Sequence, residues 1–564
     1  MLDTDRSVLT KLNEWIFSLS STNFRPFRHT ATSISLGCIT TLCDIYAKIN
    51  KQFDTHNVLL EKEKKSKKST KVKEVEKIAK ALESQLQKLS ELMETTYDRY
   101  SSSIFNKLTL FSVFVHRFRD VDYHIRTECV HELGLWMQLL PQIYFDGAHL
   151  RYMGWALSDS HSTTRLDVVK SLQKLYSSDT YLPNLRHFTE RFLSRFIEMA
   201  TSDADRSVRV ATIVLLDHIR ERELLENEDL DKICCMIFDA EGRVRRAVVS
   251  CVVSVVEGAY EELCEGIGRN VDAVEKELGD EKDRTDGVPS TWLRFKALCQ
   301  VLLKYDKMVE EAQADDQPAE DKFPFKGLEF GDVESRISMA ATALVSEMEE
   351  LQDWDNIALY LLADHSSRPT EKGRNAGGIL AKARRAAALD ASEETILLEV
   401  LNASVLARRT YEDDHEDTKG KKRKRGDSEP AEDNDRVDVS TGLVKHLPPL
   451  LHRFGSKPDT AALILKLIPS VNLDKYNELR QDEALEFLLE DVGKQFMNHT
   501  SGEVFREVGN ILLHAQKAQE VGFLVEGRIL ELQDEVNSAF SSMVNGKVLT
   551  SFHYYMMLII EFGC

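Results

Sequence analysis

Four aspartates in the first half of the chain each stand six residues before an arginine: Asp120 and Arg126, Asp159 and Arg165, Asp203 and Arg209, Asp239 and Arg245. Successive arginines are 39, 44 and 36 residues apart, the period of two-helix units of the HEAT or armadillo kind. Each arginine leads into a helical stripe of apolar residues, such as Val168, Val169, Leu172 and Leu175, or Val210, Ile213, Val214 and Leu216. An aspartate at the start of a helix caps free amides, and an arginine further along can reach the aspartate of the next unit. No single unit of this kind buries its own apolar face. The pattern therefore requires a stack, and the expected fold is all-α, a HEAT-repeat-like α-solenoid drawn as a curved hook.

The rest of the chain fits that frame. With 564 residues it exceeds one ordinary core, and 29% charged residues with only 12 prolines favour long solvated helices. Val75, Ala79, Leu82, Leu86, Leu89 and Met93 alternate at spacings of three and four, the seam of a helix packed on another. Residues 30 to 60 can supply the partner, which makes an N-terminal helical hairpin with a lysine-rich tip that includes Lys64, Lys65, Lys67 and Lys68. From Tyr411 the apolar period lapses into an acidic run followed by Lys421, Lys422, Arg423, Lys424 and Arg425. That stretch reads as a disordered charged insertion carrying a nuclear localisation signal. The expected divisions are 1–110 for the N-terminal helices and hairpin, 111–200 for a distinct central domain, 201–410 for the solenoid, 411–440 for the insertion and 441–564 for further repeat-like helices.

Several function classes are excluded by the residues themselves. A net charge of −20 is incompatible with a chain that wraps nucleic acid over its whole surface, so any DNA contact must be a local basic patch. The nine cysteines are scattered without zinc-ligand or disulfide-framework spacing, and several lie in apolar stretches as reduced thiols. The glycine cluster from Gly373 to Gly378 lacks the Lys–Ser/Thr ending of a Walker motif. His116, His124 and His131 have no metal-site spacing. No enzyme activity, metal or cofactor is expected. The late apolar run Tyr554–Ile560 is too short to span a bilayer, so no membrane association is expected.

Two blocks carry a specific likeness. FRPFRHTAT (Phe24 to Thr32) and the stretch from Val113 to Tyr176, with HRFRD, ELGLWM and YMGWALSD, together with HFTERFLSRF after it, closely resemble the stromalin family, the stromal-antigen HEAT subunit of cohesin. The resemblance covers about residues 10 to 260, is to fungal-like members, and the central block resembles the stromalin conservative domain. Family members are about twice this length, so a C-terminally truncated chain is expected. The resemblance implies a nuclear, chromosome-bound scaffold for sister chromatid cohesion. Its implied partners are the kleisin subunit of cohesin, cohesin regulators and loader, aromatic-motif peptides, and double-stranded DNA bound without sequence preference.

It also implies a peptide pocket built from a tryptophan, an arginine and a phenylalanine, which fall here on Trp155, Arg191 and Phe192. Tyr152 and Phe188 lie on the same helix faces. An indole and phenyl rings can wall a slot for aromatic side chains, and the guanidinium adds cation–π or carboxylate contacts. Trp136 is expected in the core. For DNA the candidates are Lys170 and Lys174 on one helix, Arg186, the tip lysines Lys64, Lys65, Lys67 and Lys68, and the pair Arg294 and Lys296. Two other classes use similar acidic solenoids: a nuclear transport receptor, and a scaffold for a catalytic partner.

Overall fold

The computed structural model describes residues 6–65, 69–94, 110–268, 271–278, 289–314, 335–363, 379–422, 439–474, 476, 482–517 and 522–545. Among these every regular element is helical. The chain divides into two compact units, Met1–Met236 and Ile237–Cys564.

The first unit contains α1 (Arg6–Ser20), α2 (Arg25–Lys65), α3 (Ser69–Glu94), α4 (Leu110–Arg117), α5 (Tyr123–Leu139), α6 (Pro141–Tyr144), α7 (Gly147–Ala156), α8 (Ser162–Tyr176), α9 (Leu182–Ser202), α10 (Arg206–Arg220) and α11 (Asn227–Cys234). One row stacks α2, α5, α8 and α10 in succession, while α1 packs on α4 and α7 on α9 in the other. The hairpin is present as α2 against α3, with Ala79, Leu86 and Leu89 of the expected seam buried. Met93 lies outside the side chains described. Trp136 is fully buried on α5 and donates its indole N–H to Thr40 of α2 at 2.7 Å, which satisfies the one polar atom of the ring.

The Asp–Arg pattern is the joint between successive pairs. Arg126, in the first turn of α5, donates from Nε and Nη2 to the Asp159 carboxylate at 2.6 and 2.7 Å and from Nη1 to the carbonyl of Asp120 at 2.7 Å. Arg165 repeats this one step on, with Asp203 at 2.8 and 2.6 Å and the Asp159 carbonyl at 2.8 Å. Each guanidinium thus clamps its own turn and the next one. The aspartates do not cap the helices themselves, as the sequence suggested. Asp120, Asp159, Asp203 and Asp239 accept from the amide two residues on, at 2.8 to 2.9 Å, and so fold the turn before the helix. The cap is the residue two later: Asp122, His161 and Asp205 accept the first-turn amides of α5, α8 and α10. The ladder also starts one step earlier than its sequence signature, because Arg28 binds Asp120 at 2.9 Å and the Thr22 carbonyl at 3.2 Å with threonine where the others have aspartate.

The second unit contains α12 (Gly242–Ile267), α13 (Val271–Leu278), α14 (Ser290–Ala314), α15 (Arg336–Leu344), α16 (Trp354–Leu362), α17 (Ile379–Ala386), α18 (Ala391–Lys422), α19 (Val439–Phe454), α20 (Pro458–Leu465), α21 (Asp482–Asn498), α22 (Gly502–Ala515) and α23 (Gly522–Asn545). Here α14, α18, α20 and α22 follow one another in one row and α16, α19, α21 and α23 in the other. Tyr305, Phe295 and Tyr360 fill its core. The charged stretch expected to be disordered from Tyr411 is helical as far as Lys422. The reason is cooperative propagation: Ile396 to Val405 anchor α18 in the core, and extending an existing helix needs no new nucleus. Residues 423–438, with Arg423, Lys424 and Arg425, lie outside the described residues, as does the Gly373–Gly378 cluster.

The joints titrate. Burial opposes the charged form of Asp159, but hydrogen bonds from Arg126 and the His161 amide outweigh it and hold the carboxyl below the ordinary range. A carboxylate depressed in the folded state stabilises fully above its unfolded pKa and loses that contribution as the pH falls through the folded value. Thermal unfolding followed between about pH 6 and pH 2 should show stability falling below about pH 4. The same titration of Asp159→Asn should show a lower plateau at neutral pH and a shallower acid loss; an identical acid profile would remove the joint from the stability of the stack.

Candidate peptide-binding surface and basic patches

The central feature is an aromatic slot on α7 and α9. Trp155, in the last turn of α7, keeps 45% of its surface exposed, while Tyr152 is buried and Phe118 and Phe192 are half-buried. Phe118 stacks on it at 6.1 Å and Tyr152 meets it edge-on at 5.5 Å. The Arg119 guanidinium lies 5.0 Å from the centroids of both Phe118 and Trp155, and Arg151 lies 6.0 Å from Trp155. Two exposed guanidinium groups thus lie near the indole, a contact that is modestly favourable at solvent-facing sites, and the ring still presents an open edge.

Phe192 of α9 closes the other side. Its ring rests directly on Gly154, where a Cβ would come within 2.2 Å of the ring. A glycine is therefore what lets α7 and α9 approach closely enough to seat the Phe192 ring against Gly154, the residue before Trp155. Phe188 meets Phe192 at 4.7 Å with the rings tilted, and both Phe188 and Tyr152 are buried. The spacing makes both contact residues; the structure buries them under the slot, one turn back along α7 and α9 from Trp155 and Phe192. Arg191 is exposed, with its guanidinium 5.6 Å from the Phe192 ring. Sequence reasoning missed Phe118, Arg119 and Arg151. The i, i+4 spacing of Arg151 and Trp155 was a legible signal; the reach of Phe118 and Arg119 from a different helix pair was not.

The basic candidates separate into three groups. Lys170 and Lys174 are both exposed, one turn apart on α8, and Lys64 is exposed near the end of α2. Arg186 is exposed but shares its charge with Glu190 at 3.7 Å. The side chains of Lys65, Lys67, Lys68, Lys421 and Lys422 lie outside those described. Arg294 and Lys296 require correction. Lys296 is only 8% exposed and is bound by Glu393 and the carbonyl of Ala388, a buried pair that ties α14 to the start of α18. Arg294 lies against Glu257, Glu275 and Glu350 with its guanidinium 4.9 Å from the Tyr260 ring, in a setting that is acidic rather than phosphate-seeking. Sequence showed two cations and hid the carboxylates that other helices bring to them.

Among the described residues no cluster of histidine, cysteine or carboxylate side chains is arranged to hold a metal ion, and no helix is long and apolar enough to cross a membrane. The described cysteines carry free thiols, and burial raises the pKa of Cys129 and Cys299 far above the ordinary range.

Stacked two-helix units joined by an Asp–Arg ladder define a protein of the HEAT-repeat class. The family follows from comparison. Residues 1–82 match the STAG domain, residues 119–193 the stromalin conservative domain, and residues 342–551 the HEAT-repeats domain of cohesin subunit SCC3/SA, between them more than half of the chain. The chain belongs to the stromalin family. It is 28% identical over 505 residues to cohesin subunit psc3 of Schizosaccharomyces pombe, covering 89% of this chain and 49% of that protein. It is 24% identical over 545 residues to sister-chromatid cohesion protein 3 of Arabidopsis thaliana, covering 96% and 43%. The structure of cohesin subunit Scc3 from Z. rouxii shares the fold, with a TM-score of 0.62 at 19% identity over 95% of this chain and 54% of that one. The chain thus spans about half the length of the relatives it matches.

Gly154 gives a direct test of the slot's construction. Gly154→Ala should displace the Phe192 ring and lower the melting temperature by several degrees, roughly the 1–3 kcal/mol of an overpacked contact. Gly154→Ala with Phe192→Leu should recover most of that loss in the same thermal scan, since the smaller side chain makes room for the methyl group.

Proposed function

We propose that the chain is a non-enzymatic accessory subunit of cohesin that acts in sister chromatid cohesion, in the nucleus and on chromosomes, by holding a kleisin segment, aromatic regulator peptides and duplex DNA. The observation that carries this reading is the exposed Trp155, flanked by Arg119, Arg151 and Phe192, on the segment that matches the stromalin conservative domain. An aromatic side chain entering beside the indole gains stacking, and a neighbouring carboxylate gains a guanidinium. The relatives' names, cohesin subunit and sister-chromatid cohesion protein, support the assembly. The cohesin loader is a further partner in this reading, and the basic run Lys421 to Arg425 is its nuclear localisation signal.

The DNA role belongs to local cations on an acidic chain. Lys170 and Lys174 on α8 are its leading contacts, with Lys64, Lys65, Lys67 and Lys68 at the hairpin tip and Arg186 as further ones; Arg294 and Lys296 have no part in it. Contacts to phosphate alone give binding without sequence preference and with steep salt dependence.

Two measurements test these assignments. Trp155→Ala and Arg191→Ala should each weaken an immobilised aromatic peptide at least tenfold while far-ultraviolet circular dichroism stays unchanged; loss of helicity would make them core residues instead. Lys170→Glu with Lys174→Glu should weaken a short DNA duplex in a gel shift and lower the slope of log affinity against log salt by about 1–2, leaving capture of a kleisin fragment intact. An unaltered slope removes α8 from the DNA surface.

A further inference from the structure

The FRPFR motif holds a feature that the Asp–Arg ladder does not use. Along the edge where α5, α8 and α10 begin, the capping position is Asp122, His161 and Asp205, each accepting a first-turn amide. At the start of α2 the same position is Phe24, whose carbonyl accepts the Arg28 amide at 3.0 Å but whose side chain has no oxygen to offer. The phenyl ring is 71% exposed and meets the 58% exposed Phe27 edge-on at 6.5 Å. Arg25 between them binds Asp122 and so draws the following turn alongside, where Val121 is 95% exposed. An apolar cluster replaces a polar cap, on a turn that the ladder holds rigid. Local rules broken without a gain in stability mark a binding position more often than an error of packing.

The position of this cluster relative to the slot identifies what it receives. Arg119, which lies over Trp155, and Asp122, which binds Arg25, are three residues apart on one turn, so their Cα atoms are within about 11 Å. Phe24 belongs to the first helix pair, Phe118 to the second and Trp155 to the third; successive helices pack about 8–10 Å apart. An extended peptide advances about 3.3 Å per residue, so the two steps of about 8–10 Å take about five to six residues. Both are flanked by exposed arginines, Arg25 at one and Arg119 at the other, on a chain whose net charge is −20.

We infer that Phe24, Phe27 and Val121 form a second subsite for the peptide held at Trp155, receiving an aromatic or large aliphatic side chain about five to six residues from the first anchor, with an acidic residue beside it facing Arg25. This rests on the slot reading above. It makes the surface bivalent: the second anchor binds intramolecularly once the first is seated, which raises affinity and fixes peptide direction.

The test uses the whole chain and two sets of synthetic probes in fluorescence anisotropy: the capped tripeptide Phe-Glu-Phe, and the same tripeptide extended at either end by one, four or ten Gly/Ser residues to a terminal Glu-Phe. The four-residue extension at one end should bind at least fivefold more tightly than the tripeptide, and the one-residue extension should not. Phe24→Ala with Phe27→Ala should erase that gain and leave the tripeptide affinity unchanged, whereas Trp155→Ala should remove both. Tripeptide binding with no gain from any extension overturns the second subsite alone. Failure of the tripeptide to bind overturns the slot and the subsite together. Sedimentation that shows self-association abolished by the double phenylalanine variant would assign the cluster to a second copy of the chain and overturn the proposal.

Discussion

A guanidinium shared between two turns holds the first unit together. Arg126 and Arg165 each bind a carbonyl of the turn before their own helix and the carboxylate of the turn before the next. Two rigid hydrogen-bond forks in succession fix both the distance and the angle between helix pairs, which apolar stripes alone leave free to slide. The pairs are largely buried, so removing one partner would strand a charge at about 3–5 kcal/mol. Arg28 extends the same geometry to the first pair and thereby carries the hairpin into the stack.

The slot depends on that rigidity. Trp155 stands one loop before Asp159 and His161, and Phe118 and Arg119 stand immediately before Asp120, so the rings and guanidinia that face solvent are mounted on the turns the ladder clamps. A binding surface on loops is usually mobile; here each loop is closed by an aspartate accepting an amide and an arginine accepted by a carbonyl. The glycine at 154 then sets how closely α9 approaches, and Phe192 completes the wall. The ladder residues and the rings of the slot are thus close neighbours in the chain.

Charge acts at short range on this chain. The excess of acid leaves Arg294 surrounded by three carboxylates and Lys296 enclosed by Glu393, so that basic residues which look free in one dimension are neutralised in three. Of the basic candidates, Lys170 and Lys174 on one helix, Lys64 near the end of α2 and Arg186 beside Glu190 stay exposed.

The sequence by itself determined the all-α stack, the identity of the joint residues and the burial of Trp136. These were legible because each is written in local spacing: a six-residue offset, a period near 40, a three-four seam. Only the tertiary structure decided that the aspartates fold turns rather than cap helices, that Tyr152 and Phe188 lie behind the slot, that Phe118 and Arg119 line it, and that Lys296 is sealed. The first depends on a shift of two residues inside one turn, which the Asp–Arg offset does not resolve; the others depend on which side chains different helix pairs bring to one place, and contacts separated by about 30 to 100 residues leave no local spacing to read.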